Sequence, residues 1–225
     1  MPDTGLELFD GHLIVDAGGR MLLDTGSPVS FSSTGTVHWA GEEHELATSV
    51  LGLDAEELSR LVGTRLDGLI GGDHLGREPF TIDLERGVCS FAERGSDRPS
   101  TELRVRLMLG VPLATVEFDG APAEACIDTG AKLSYLDEAH VRGRAPVEET
   151  SDFYPGFGTF ETPVYEIPVR IAGAALTMRV GSLPDGLSGM LGMLGIAAIV
   201  GTDVFATFPV ARFDYQNTLI TFVPG

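Results

Sequence analysis

Met21-Leu22-Leu23-Asp24-Thr25-Gly26-Ser27 is an apolar run that ends on an acid, a hydroxyl and a glycine. The order returns 104 residues later in Ala125-Cys126-Ile127-Asp128-Thr129-Gly130-Ala131. Asp3-Thr4-Gly5 spells the same triplet behind only Met1-Pro2, with no apolar run to carry it. The flanks, not the triplet, therefore decide the fold.

Those flanks match. Leu13-Ile14-Val15, the turn residues Asp16 to Gly19 and Met21-Leu22-Leu23 predict a hairpin that delivers Asp24 at its end. Ala114 to Phe118, the turn Asp119-Gly120-Ala121-Pro122 and Ala125-Cys126-Ile127 deliver Asp128 in the same way. A strand resumes after each triplet, at Val29 to Ser32 and at Leu133 to Leu136. Further on, Leu69-Ile70-Gly71-Gly72-Asp73 is echoed by Ile199-Val200-Gly201-Thr202-Asp203. Each half closes on a hairpin with Asp and Phe eight apart, Asp83 to Phe91 and Asp214 to Phe222. Four landmarks in one order, twice, are the mark of a duplicated unit of about 100 residues, not of a many-repeat solenoid. The second copy is longer in its middle: 73 residues separate Asp128 from Gly201, against 47 from Asp24 to Gly71.

Between the landmarks, Val37 and Trp39 before Ala40-Gly41-Glu42-Glu43 predict another hairpin. Asp54 with Glu57 three residues on, then Leu58, Leu61, Val62 and Gly63, predicts a capped helix. Gly186 to Thr202 carries no charge but is short for a membrane span and rich in Gly, which predicts a helix plus a buried strand. Ala92 to Thr101 is polar and aperiodic. The expected organisation is a first lobe over 1–95, a linker over 96–101 and a second lobe over 102–225, all-β with few short helices.

Bulk properties narrow the function. A chain with 43% hydrophobic and 21% charged residues is globular and not disordered. Net charge is -18, from 33 acidic against 15 basic residues, so no basic footprint for nucleic acid or an anionic membrane exists. Cys89 and Cys126 both lie in apolar runs, which predicts buried free thiols in place of a disulfide framework. The first residues hold Asp3 and Glu7 and no basic segment before an apolar core, so the expectation is a cytoplasmic protein.

The doubled landmarks resemble the pepsin and retropepsin clan of aspartic peptidases, over nearly the whole chain. In that clan each half supplies an Asp-Thr/Ser-Gly loop, and an apolar-apolar-Gly strand threads beneath it as a ψ-shaped floor. The resemblance implies a two-lobed fold with pseudo-twofold symmetry and a catalytic pair Asp24 and Asp128. The loops would be supported by Thr25, Gly26, Ser27, Thr129, Gly130 and Ala131. The floor would be Leu69, Ile70, Gly71, Ile199, Val200 and Gly201. It also implies that the hydroxyls of Thr25 and Thr129 cross-link the loops. Two features depart from the clan. Retropepsins usually carry Arg after the floor glycine, where Gly72 and Thr202 stand here, and the first lobe has no Tyr where pepsins have their flap.

Peptide hydrolysis without a metal needs a water that one carboxylate deprotonates while a protonated partner polarises the carbonyl. Two adjacent carboxyls share one proton; aspartic peptidases are the standard illustration of that pairing. Ser27 has a hydroxyl to offer Asp24 and Ala131 has none for Asp128, so Asp24 is expected to be the better stabilised anion. Asp73 and Asp203 are expected to cap helices. The flap is expected at Tyr154, Pro155, Gly156, Phe157 and Gly158, with Trp39 as the rival. No Gly-x-Ser-x-Gly elbow, P-loop or dinucleotide fingerprint occurs, and His12, His38, His44, His74 and His140 show no metal-ligand spacing. The expected protein is a monomeric aspartic endopeptidase on peptide or protein substrates, with no metal and no cofactor. The competing expectation is a peptide-binding pseudo-protease or regulatory module on the same fold. A third is a processing peptidase with one cellular target.

Overall fold

Short apolar runs broken by Gly, Pro and Asp give short strands joined by tight turns. The computed structural model describes residues 3–91, 98–155 and 157–225. It arranges them in a ten-stranded and an eight-stranded sheet, with two small hairpins beside them. Among the described residues the helices are Ala55–Val62, Gly72–Leu75, Glu138–Val141, Asp185–Met193 and a 3-10 turn at Thr202–Ala206. This is the expected all-β architecture with few short helices.

Its centre is the same ψ-shaped arrangement built twice. In the first lobe Gly68–Ile70 lies parallel to Arg20–Leu23, with Leu23 opposite Ile70, and antiparallel to Phe31–Ser32. In the second, Ala198–Val200 lies parallel to Ala121–Ile127, with Ile127 opposite Val200, and antiparallel to Ser134–Leu136. The central strands are buried throughout, which is why they read as unbroken apolar runs and not as alternating ones. Each holds its loop directly: Asp24 N–H donates to Ile70 O at 3.0 Å and Asp128 N–H to Val200 O at 2.9 Å. The glycines that follow are forced by space. A Cβ on Gly71 would stand 2.6 Å from Val29 O, and one on Gly201 would stand 2.5 Å from Leu133 O.

The lobes are joined by a shared sheet. The hairpin of Val210–Asp214 and Leu219–Val223 pairs with Phe80–Asp83, Phe80 standing opposite Phe213. Their rings stack with centroids 5.0 Å apart, within the range that aromatic pairs favour. The far edge of this sheet is Thr101–Arg104 against Leu219–Val223. Residues 96 and 97 of the expected linker lie outside the described residues.

The capped helix forms where the sequence placed it. Asp54 accepts from Glu57 N–H at 2.9 Å, and Gly63 ends the helix in the left-handed region with φ 80°. Its Leu58 is fully buried, which contributes about 2 kcal/mol. The uncharged stretch 186–202 divides into the helix Asp185–Met193 and the buried strand Ala198–Val200. No helix among the described residues is long and apolar enough to cross a membrane. Both cysteines are buried free thiols, and burial pushes that of Cys89 up to about 12.

Candidate active site

The two loops meet where the lobes join. Thr25 N–H donates to Thr129 Oγ1 at 3.0 Å, and Thr129 N–H donates to Thr25 Oγ1 at 2.9 Å. Each hydroxyl then donates across the interface, Thr25 to Ile127 O at 2.6 Å and Thr129 to Leu23 O at 2.7 Å. Both threonines are buried, so all four bonds are made away from water.

Over this crossing stand the two carboxyls. Gly26 and Ser27 donate their N–H groups to Asp24 Oδ1, each at 2.9 Å, and Gly130 donates to Asp128 Oδ1 at 2.8 Å. A Cβ on Gly26 would overlap the Asp128 carboxyl, and a Cβ on Gly130 would overlap that of Asp24. Each carboxyl is thus laid against the other loop's glycine, and the two hydrogen-bond to one another. Burial pushes Asp24 well above the usual carboxylate range, and the neighbouring Asp128 charge adds to it. Burial raises Asp128 too, while the Gly130 N–H works against the rise. Two buried acids in this contact hold one proton between them well above the pH at which a lone Asp loses it.

The asymmetry expected from Ser27 is corrected. Its hydroxyl donates to Val29 O at 2.8 Å, and only its backbone N–H serves Asp24. The N–H of Ala131 donates to the main-chain carbonyl of Asp128 at 3.4 Å, so neither side chain at this position reaches the pair.

Asp73 and Asp203 are also corrected. The caps of their short helices are Gly71 and Gly201, without a side-chain bond. Instead Asp73 accepts the hydroxyl of Ser30 and Asp203 that of Ser134, the latter at 2.6 Å. Each serine oxygen in turn accepts the floor glycine's N–H, Gly71 at 2.8 Å and Gly201 at 2.9 Å. Ser30 and Ser134 escaped the sequence reading, yet each stands six residues after the Asp of its triplet. Aligning the two repeats finds them. The copies differ in depth: burial pushes Asp203 up to about 6, and its second carboxylate oxygen has no partner. Asp73 is about a third exposed and has His74 beside it, which also contacts Ser30.

Gly72 and Thr202, which stand where retropepsins carry Arg, each touch a turn of the opposite lobe. Gly72 packs against Gly110 so closely that a Cβ would lie 2.6 Å from its carbonyl oxygen, and Thr202 donates its hydroxyl to Gly11 O.

The carboxyls open into a cleft of about 340 Å³. Leu22, Phe31, Leu58 and Leu69 wall it on the first-lobe side, and Tyr135, Phe160, Leu187 and Ile199 on the second. Over it lies the long hairpin of Glu148–Tyr154 and Gly158–Ile171, in which Tyr154 stands opposite Gly158. Phe153, Tyr154 and Pro155 line the cleft together with both carboxyls, while Phe157 packs on Phe160. Gly156 lies outside the described residues. Trp39, the rival for this role, is corrected: it is 1% exposed and packs edge-on against Phe80 and Phe91. Alternation along Thr36–Trp39 fixes which side of the strand it occupies, and that side faces the core.

A smaller hairpin, Ser49–Val50 with Leu53–Asp54, overhangs the cleft from the first lobe, and Val50, Leu51 and Leu53 line it. Leu51 is fully exposed, at φ 52° before Gly52 at φ 84°. An aliphatic residue at the tip of a two-residue turn was the signal for it. Among the described residues no three His, Cys, Asp or Glu side chains converge as metal ligands.

No family model matches the sequence, and no curated protein matches it. Solved structures do. The simian foamy virus (mac) protease in solution is similar at 16% identity, over 42% of this chain and 91% of that one, with a TM-score of 0.32. The foamy viral protease-reverse transcriptase in complex with an RNA/DNA hybrid is similar at 17% identity, over 47% of this chain and 11% of that one, with a TM-score of 0.33. Each likeness covers less than half of this chain.

Proposed function

We propose that this chain is an aspartic endopeptidase. The observation that carries the proposal is the shared-proton pair, Asp24 and Asp128, buried across the lobe junction at the base of an apolar cleft. In the half-protonated pair the ionised carboxylate takes a proton from water while the protonated one donates to the scissile carbonyl. The N–H groups of Gly26, Ser27 and Gly130 hold the carboxyls in place, and the crossed Thr25 and Thr129 fix the loops that present them.

The raised values of the pair set the pH dependence. At low pH both acids are protonated and no base remains. At high pH both ionise and no acid remains. A mildly acidic optimum follows. An extended peptide fits the cleft, its side chains in the two apolar walls and its backbone bonded to the overhanging hairpin. One chain supplies both halves of the site, so a monomer suffices, and the chemistry calls for no metal or cofactor.

The test is hydrolysis of denatured casein by wild type, Asp24→Asn and Asp128→Asn. Each variant is expected to lose about 10²–10⁴-fold in kcat. Cleavage that survives either change would sink the proposal. Peptide binding without cleavage at any pH in wild type would favour the pseudo-protease.

A further inference from the structure

His12 is 3% exposed, opens the strand His12–Asp16 and lines the cleft beside both carboxyls. Its Nδ1 lies 3.1 Å from Gly130 O, the carbonyl of the second lobe's carboxyl loop. A carbonyl oxygen only accepts, so Nδ1 carries the hydrogen and Nε2 of the neutral ring keeps a lone pair. No described residue bonds to that Nε2. Nε2 is not among the fully buried polar atoms that lack a partner, so it is reachable from the cleft that His12 lines.

The other lobe has no such group. Leu109-Gly110, with φ 53° and 85°, repeats the turn of Asp10-Gly11, with φ 43° and 82°. Val111 therefore stands where His12 stands, and it is packed into the second lobe's apolar cluster. The imidazole belongs to one side of the cleft alone.

Its surroundings keep it neutral. Burial lowers its pKa, opposed by the Gly130 carbonyl, by Asp152 from the long hairpin and by Asp10. Lys132, which pairs with Asp10 at 3.7 Å, pushes it down again. The Phe153 ring lies against it, centroids 5.9 Å apart.

We propose that His12 Nε2 is a substrate-binding acceptor that takes a main-chain N–H of the peptide bound in the cleft. The inference rests on the peptide-cleft reading above and adds to it one named anchor. An extended chain presents an N–H to the same side at every second residue, while the cleft walls named above are mostly apolar and offer few acceptors. Nδ1 is committed to Gly130, so Nε2 is free for the ligand. Protonating the ring turns Nε2 into a donor, which faces the peptide N–H donor to donor. Affinity for peptide therefore falls as pH drops through the His12 pKa. This limb lies on the KM side of the profile, apart from the kcat limbs set by the carboxyl pair.

The experiment compares wild type with His12→Asn, whose amide nitrogen keeps the donor to Gly130 O but supplies no acceptor in the Nε2 position. KM and kcat on denatured casein are measured from pH 4.5 to 7.5, with the Kd of pepstatin, an apolar peptide-like compound, over the same range. At pH 7 the variant is expected to show a KM and a Kd weakened about five- to tenfold, as for one lost hydrogen bond, with kcat within twofold. The acid-side weakening of wild type should be absent from it. A pH dependence of KM identical in both proteins, or a fall in kcat at constant KM, overturns the anchor. A second measurement needs no variant: ¹⁵N spectra of wild type should show the His12 pKa falling when pepstatin binds, and a value that stays or rises overturns the anchor as well. Hydrolysis with an unaltered His12→Asn removes the anchor alone. Pepstatin binding with these His12 signatures but no hydrolysis removes the peptidase and keeps the anchor. A wild type that neither hydrolyses casein nor binds pepstatin removes both.

Discussion

The two lobes spell their carboxyl loops almost alike and surround them differently. Thr25 and Thr129, Gly26 and Gly130, Gly71 and Gly201, and Ser30 and Ser134 hold matching positions and make matching contacts. Around them the copies diverge. The first lobe overhangs the cleft with a two-residue turn at Leu51, the second with the long hairpin that ends near Tyr154. His12 faces the cleft on one side and Val111 packs inward on the other. The likeness lies where a carbonyl or carboxyl within about 3 Å leaves room for only one residue type. The divergence lies where side chains face open space.

The strongest way to break the comparison is at the crossing. Thr25→Val and Thr129→Val each strand a buried N–H in the opposite loop and a carbonyl beneath it. Each is expected to lower the unfolding free energy by about 3 kcal/mol, read from the urea midpoint. The two losses should agree within about 1 kcal/mol, and a larger gap would show that the lobes share a geometry without sharing its energetics.

Asp203→Asn sharpens the comparison through pH. Asp203 is raised from 3.8 to about 6, so its contribution to stability is complete below about 4 and lost as pH rises through 6. The variant keeps an oxygen for the Ser134 hydroxyl and has no charge to bury. It is therefore expected to be more stable than wild type by about 3 kcal/mol at pH 7.5 and level with it at pH 3.5. Equal stability at both pH values would contradict the burial contrast with Asp73.

The smallest effect belongs to the short hairpin. Leu51 buries nothing, so Leu51→Ala should shift stability by less than about 0.5 kcal/mol. It should still raise KM for an apolar peptide severalfold at unchanged kcat. An unmoved KM would leave the long hairpin as the sole cover of the cleft.

The duplicated backbone of the site was legible because a repeat tests itself. Asp24 and Asp128 were readable from the apolar runs before them, and Gly71 and Gly201 from the runs after them. Trp39 was not placed, since a strand with an aromatic at its end reads alike whether that residue faces core or cleft. Asp73 and Asp203 differ from the expected caps because Asp two residues after the floor glycine fits a helix start, while its true partner lies 43 positions away in Ser30 and 69 in Ser134. Contacts of that span leave no periodic trace. His12 looked like an unremarkable histidine at a strand start, and only the meeting of the lobes set it against Gly130.

The sheet that joins the lobes has a consequence for the order in which the molecule can be made. Phe80–Asp83 finds its neighbour in Val210–Asp214, and Thr81 receives the Arg212 side chain from 131 positions away. A chain growing from its amino end exposes that strand as an open edge until Val210–Asp214 has been synthesised. The first repeat cannot finish its own sheet. Until the partner arrives, the free edge is a template for the same hairpin from a neighbouring nascent chain, and exchanged dimers are the misassembly this topology invites.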